Sequence, residues 1–274
     1  MSPSRPGIAA AVIAAAVGAG VARAVYRRVS THPPGGVRQW ERINHRGGTV
    51  TLAAGPALAA GAAVGAALAP GVTPRVRLAG VTLASAVGSV GLYDDLTGSS
   101  ASKGLRGHLS ALRRGEVTSG VVKVAVIGAS GLAAAAAVSD DPLDALIGGA
   151  AVAGHANLLN LLDLRPGRAL KVGLIHAPFV LTGPARGVAA AGLGAGAALL
   201  ADDLGERTML GDAGANALGA ALGLALVARA GRTARLIHLG AVTALILSSE
   251  KVSFTQVIGR TPVLRELDQL GRRP

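Results

Sequence analysis

Long apolar stretches recur from one end of the chain to the other, and they restrict its fold more than any other feature. Inside a bilayer every backbone N–H and C=O must be satisfied by the protein itself, so only helices and closed barrels cross it. A crossing helix needs roughly 20 mostly apolar residues. Candidate spans are read at about 7–25, 50–69, 76–93, 119–138, 142–160, 171–183, 187–201, 213–229 and 236–249. The sixth is short and is interrupted by Pro178 and Gly183–Pro184, so spans six and seven read as a broken pair. Composition agrees: 50% of the 274 residues are hydrophobic and 15% are charged, whereas soluble domains carry about 25% charged residues. The expectation is an all-α polytopic membrane protein of about nine transmembrane helices. It forms a single domain over residues 1–274, with residues 250–274 as a cytoplasmic tail.

Ala and Gly fill the spans, and small residues let helices pack closely in lipid. Cysteine is absent, which excludes disulfides, thiolate metal sites and a cysteine nucleophile. The net charge of +12 would point to nucleic acid in a soluble protein. Here the basic residues lie in short loops between apolar spans, so they are read as topology signals, and no nucleic-acid partner is expected. With the N-terminus outside and the C-terminus cytoplasmic, most of the 27 Lys and Arg residues fall inside, as the positive-inside rule requires. The Arg229–Arg235 cluster runs against the bias. Residues 1–24 also have signal-peptide features, with Arg5, an apolar run and Ala22-Arg23-Ala24. The length of the run, and arginines that follow it more than precede it, favour an uncleaved first helix.

This orientation gathers the unusual polar residues on one side. "VGSVGLYDDLTGSS" (87–100) ends an apolar segment on Asp94 and Asp95. "HANLLNLLDLRPGRALK" (155–171) and "ADDLGERTMLGDAGANALG" (201–219) lie at the same edge. The orientation rests on Lys and Arg alone, so the clustering of acids and amides is partly independent support. Taken alone, Asp94 and Asp95 read as a solvated helix end. Three such segments together can build a site for a phosphorylated substrate. Mg²⁺ is usually held by one or two carboxylates plus substrate phosphates, and Arg and Lys bind the remaining charge. Gly211 and Gly214 flank Asp212 where a helix would begin, and free N–H groups there suit an anion.

These motifs resemble those of the polyprenyl-phosphate N-acetylhexosamine-1-phosphate transferases, the MraY/WecA type. "NHRGGTVTLAAGPAL" (44–58) is similar to the family's first cytoplasmic loop. "GLYDDLTG" with "SKGL" (102–105) is similar to its Asp-Asp motif, "NLLNLLD" (157–163) to Asn-x-x-Asn-x-x-Asp, and "LGDAGANALG" (210–219) to its Gly-Asp-x-Gly motif. The resemblance covers most of the chain, from about Asn44 to Gly219. It implies a plasma-membrane enzyme with its active site at the cytoplasmic face. Such an enzyme transfers a sugar-1-phosphate from a nucleotide diphosphate sugar to polyprenyl phosphate in cell-envelope glycan synthesis. It uses Mg²⁺, with Mn²⁺ as an alternative, and a homodimer fits the family. By the resemblance Asp94, Asp95 and Asp212 are the catalytic acids. Asp212 and Asp95 are the metal ligands, and Lys103 binds phosphate. Asn157, Asn160 and Asp163 line the nucleotide-sugar pocket.

Other residues carry two readings each. Arg165 and Arg168 are orientation charges and candidate substrate ligands, and His108 is a phosphate-adjacent candidate. Asn216, one turn after Asp212, lines the pocket or bridges helices. Asn157 and Asn160 have helix–helix hydrogen bonding as their second reading. Asp202 and Asp203 read as a loop pair, and Asp140 and Asp141 as a turn before Pro142. The chain departs from the family where Pro166 replaces the motif's second aspartate, which contacts uracil, and where Ala215 replaces a serine. No late histidine triplet is present. Two rival functions follow: a non-catalytic relative acting as a lipid-binding or scaffold subunit, or a transporter, for which broken helices are a mark.

Overall fold

The computed structural model describes residues 5–98 and 113–273. Helix α1 (Arg5–Thr31) leads into a helical turn, α2 (Val37–Trp40), and a two-stranded antiparallel hairpin. The hairpin pairs β1 (Glu41–Ile43) with β2 (Thr49–Thr51), in the register Glu41↔Thr51 and Ile43↔Thr49. Then follow α3 (Ala54–Ala67), α4 (Pro74–Thr97), α5 (Ser119–Ala136), α6 (Pro142–Leu162), α7 (Arg168–Ile175) and α8 (Ala177–Val180). The rest is α9 (Arg186–Leu204), α10 (Gly211–Arg229), α11 (Arg232–Ser249), α12 (Phe254–Arg260) and α13 (Pro262–Gln269). Local chemistry sets the helix starts. Thr73 accepts the Val76 N–H ahead of Pro74, and Asp141 accepts the Leu143 and Asp144 N–H groups ahead of Pro142. The Asp140–Asp141 turn is thus an N-cap, with proline in the first turn where no donor is needed.

Among the described residues six helices are long and apolar enough to cross a membrane: α1, α4, α5, α6, α9 and α10. A seventh span results if α11 and α12, bent by 96° at their junction, count as one. The protein is a multi-pass helical membrane protein. Two details, a short helix and a hairpin, correct the sequence reading. The 50–69 segment is β2 followed by a helix of 14 residues, about 21 Å long at 1.5 Å per residue, which is short for a bilayer core. The 171–183 segment is interrupted as the sequence leads one to expect, into α7 and α8, since Pro178 lacks the N–H that a continuous helix needs. Among the described residues the fold is therefore helical with one small hairpin, and the tail after residue 250 carries the two helices α12 and α13.

Helix α10 is the axis of the bundle. It packs against α3, α4, α6 and α9, and most of its residues are buried. Its Ala and Gly content lets the neighbours come close. At Gly91 of α4 a Cβ would lie 2.5 Å from the Asp212 carbonyl oxygen and 2.6 Å from Ala213 Cα. A glycine there lets the C-terminal end of α4 touch the N-terminal turn of α10, backbone to backbone. That contact brings Asp94, Asp95 and Asp212 together.

Candidate functional site

The first turn of α10 leaves its N–H groups without intrahelical partners. Two carboxylates from elsewhere in the chain take them. Asp95 accepts the Asp212 N–H on Oδ1 at 2.9 Å and the Ala213 N–H on Oδ2 at 3.0 Å. Asp163, the residue capping the C-terminus of α6, accepts the Gly211 N–H at 3.0 Å. Negative charge is favoured at this end of a helix. Gly211 has φ +58, and a Cβ there would lie 2.8 Å from both Asp95 oxygens. The glycine before Asp212 is thus required twice, for its backbone conformation and for the approach of Asp95. Arg42 of β1 donates to the Asp95 carbonyl and ties the hairpin to the same corner.

With Asp95 engaged as a cap, the carboxylates that converge are Asp94 and Asp212. Both bind one ammonium, that of Lys123 in the first turns of α5: Nζ is 2.6 Å from Asp94 Oδ2 and also pairs with Asp212 Oδ2. The three side chains are 15 to 23% exposed, so the cluster is sheltered yet reachable. Among the described residues no three of His, Cys, Asp or Glu converge on one point as a metal cage. Burial pushes Asp163 well above the usual carboxylate range, aided by the charge of Asp203 and opposed by the Gly211 N–H.

The other expected site residues divide. Asn216 is buried and donates to the Asp212 carbonyl at 2.7 Å, a bond within its own helix. Asn157 and Asn160 lie on the last turns of α6. Arg165 lines a cavity of about 540 Å³ beside Asp163, together with Asn44, His45, Glu206 and Gln256. Arg168 is taken up elsewhere. It makes a two-pronged pair with Asp268 of α13, at 2.8 and 3.0 Å, and donates to Thr255 at 3.1 Å. Its side chain is 4% exposed, so it clasps the C-terminal helices and is closed to a substrate phosphate. Lys103 and His108 lie outside the described residues. Asp202 pairs with Arg23 and Arg207, and Asp203 accepts the Gly167 N–H at 3.0 Å; both are buried in the last turn of α9 rather than in a loop.

Two residues were missed from the sequence. Lys123, in the 119–138 span, reads from the sequence as one of the inside orientation charges, although a cation inside an apolar span calls for an acidic partner. Glu206 stood unremarked in a loop. A larger, mainly apolar groove of about 900 Å³ lies at the opposite end of the bundle, lined by Gly7, Pro178, Arg186 and Arg229 among others. It is remote from the acidic cluster. No protein-family model matches the chain, and a search of curated proteins finds no similar sequence.

Proposed function

We propose that the protein is a Mg²⁺-dependent membrane phosphotransferase. It moves a sugar-1-phosphate from a nucleotide diphosphate sugar to polyprenyl phosphate, at the cytoplasmic face of the plasma membrane, for envelope glycan synthesis. One observation carries the reading: Asp94 and Asp212 converge on a single cation at the polar end of an apolar bundle. Two carboxylates that already share a positive centre fit Mg²⁺, which takes one or two protein carboxylates and draws its other ligands from phosphates and water. Bound there, the metal would neutralise charge on the pyrophosphate and on the departing nucleoside monophosphate. Asp94 and Asp212 would hold it, while Asp95 holds the first turn of α10 in place.

The remaining work is positioning and charge. Lys123, a point charge on a flexible stem, swings from the carboxylates to a phosphoryl oxygen. A polyprenyl-phosphate oxygen forms a bond to the β-phosphorus. The bond from that phosphorus to the bridging oxygen breaks, and the nucleoside monophosphate leaves with the electron pair. The 540 Å³ cavity beside Asp163 receives the nucleoside, and apolar helix faces receive the prenyl chain.

A non-catalytic relative that binds lipid has one observation in its favour, since Lys123 already neutralises the carboxylate pair. An assay separates the two readings. Purified protein is given undecaprenyl phosphate and a panel of nucleotide diphosphate sugars, with Mg²⁺ or with EDTA. The enzyme reading expects nucleoside monophosphate and lipid-linked sugar from one donor, lost in EDTA and lowered at least 100-fold in Asp212→Asn. Full activity in that variant would sink the mechanism, and silence across the panel, with a working control enzyme, would favour the lipid-binding relative.

A further inference from the structure

The cavity beside Asp163 contains a buried acceptor that the phosphoryl chemistry does not use. The Glu206 side chain is 10% exposed, and its Oε1 accepts no hydrogen bond. Its Oε2 accepts from Asn44 Nδ2 at 2.8 Å. Arg46 Nε lies 3.4 Å from Oε1, an ion pair without a hydrogen bond. A buried carboxylate oxygen without a donor is costly, so a donor supplied by a ligand is the natural complement.

The surroundings fix this carboxylate in one place. Asn44 is itself locked, its Oδ1 accepting the Arg46 and Gly48 N–H groups at 2.9 Å each. On the other side, Thr51 N–H donates to the Arg207 carbonyl and Met209 N–H to the Thr51 carbonyl, which fastens the segment after Glu206 to β2. Glu206 has φ +52, alone among described non-glycine residues in the left-handed region. Such strain persists where neighbours over-determine it, and it clusters at ligand sites. Gln256 of α12 lines the same cavity and offers an amide able to donate to a carbonyl. The cavity volume of about 540 Å³ is within the range of ligand pockets, about 300–1,000 Å³. Asp163, the residue bonded to the turn that carries Asp212, lines it as well.

We infer that Glu206 and Gln256 read the base of the nucleotide donor, Glu206 Oε1 accepting a ring N–H and Gln256 donating to the adjacent carbonyl. A base with a ring N–H next to C=O, uracil or guanine, meets that pair. Adenine has no carbonyl, and cytosine has no ring N–H on that edge. Asn44 acts as a positioning residue for Glu206. The inference rests on the phosphotransferase reading, and its test is a binding test, so that the two fail separately.

Purified full-length protein with Mg²⁺ is titrated with UDP, GDP, CDP, ADP and inorganic pyrophosphate. UDP or GDP is expected to bind at least tenfold tighter than CDP and ADP. In Glu206→Gln the preferred nucleotide should lose at least tenfold in affinity and the preference should flatten, with pyrophosphate unchanged. The N-methylated base analogue of the preferred nucleotide should lose affinity to the same extent, and its 2′-deoxy analogue should not. Unchanged preference in Glu206→Gln would overturn the assignment. So would sensitivity to the ribose in place of the base, or a variant that loses pyrophosphate as well. Binding of none of the five ligands would instead sink the nucleotide-sugar reading itself.

Discussion

A lysine ammonium shared by two carboxylates cannot be removed without consequence. Without Lys123, Asp94 and Asp212 become like charges facing one site, and both resist ionising together. Breaking a buried ion pair costs about 3–5 kcal/mol; the partial exposure of this one lowers the figure to roughly 2 kcal/mol. Lys123→Met should therefore lower the melting temperature. It should also make stability depend on divalent cation, since Mg²⁺ can take the vacated place between the two acids. Melting followed by the fluorescence of Trp40, the only tryptophan and a buried one in the turn before β1, reads both effects. A variant whose melting responds to Mg²⁺ no more than the parent's would show that Asp94 and Asp212 do not hold a metal together.

Among the elements, the C-terminal helices carry the plainest prediction. Asp268 of α13 meets Arg168 and Arg272, and Arg272 also donates to the Pro166 carbonyl at 2.9 Å. Burial acts to raise the Asp268 carboxyl, but the hydrogen bonds and charge of Arg168 and Arg272 outweigh it and hold the group below its ordinary value. A lowered native value means that the stabilisation is present above the unfolded value, about 3.9, and is lost as pH falls through the lowered one. The clasp should stay shut from neutral pH to about pH 5 and open only below about pH 4. The cysteine-free chain allows a single label at Gln269→Cys, whose environment should be constant over that range. In Asp268→Asn the label should report an open tail at every pH.

The helices of this protein were legible in its sequence because hydropathy and length are local properties. The Asp-Asp pair and the Asp212 turn were legible as well, since charged residues ending apolar runs stand out. Their division of labour was not: which aspartate caps α10 and which faces the cation depends on the approach permitted at Gly91. Arg168 looked like a substrate ligand because its partner, Asp268, lies 100 residues away in sequence. Glu206 gave no local signal, since a buried unpaired oxygen exists only once Asn44 and the hairpin are in place.

For the whole molecule the decisive quantity is direction. Helix α3 runs from the acidic end, where Gly55 meets Leu210, to the far end, where Ala69, just past its last turn, meets Gly187. It therefore returns the chain between α1 and α4 even though its 14 residues are short for a bilayer. The α7–α8 pair likewise leads from Arg168, clasped at the acidic end, to Gly183, which lies against Arg229 at the far end. All three acidic segments thus share one face, whatever the number of full crossings, and a single orientation decides whether that face meets nucleotide. The orientation proposed from the distribution of Lys and Arg puts it in the cytoplasm. Single cysteines placed at Arg207, at the acidic end, and at Thr182, at the far end, convert this into a measurement with a membrane-impermeant thiol reagent. Arg207→Cys should react only in inverted vesicles and Thr182→Cys only in intact cells. The reverse pattern would put the acidic cluster on the side without nucleotide sugars and remove the donor from the proposed reaction, leaving the lipid-binding relative as the reading to pursue.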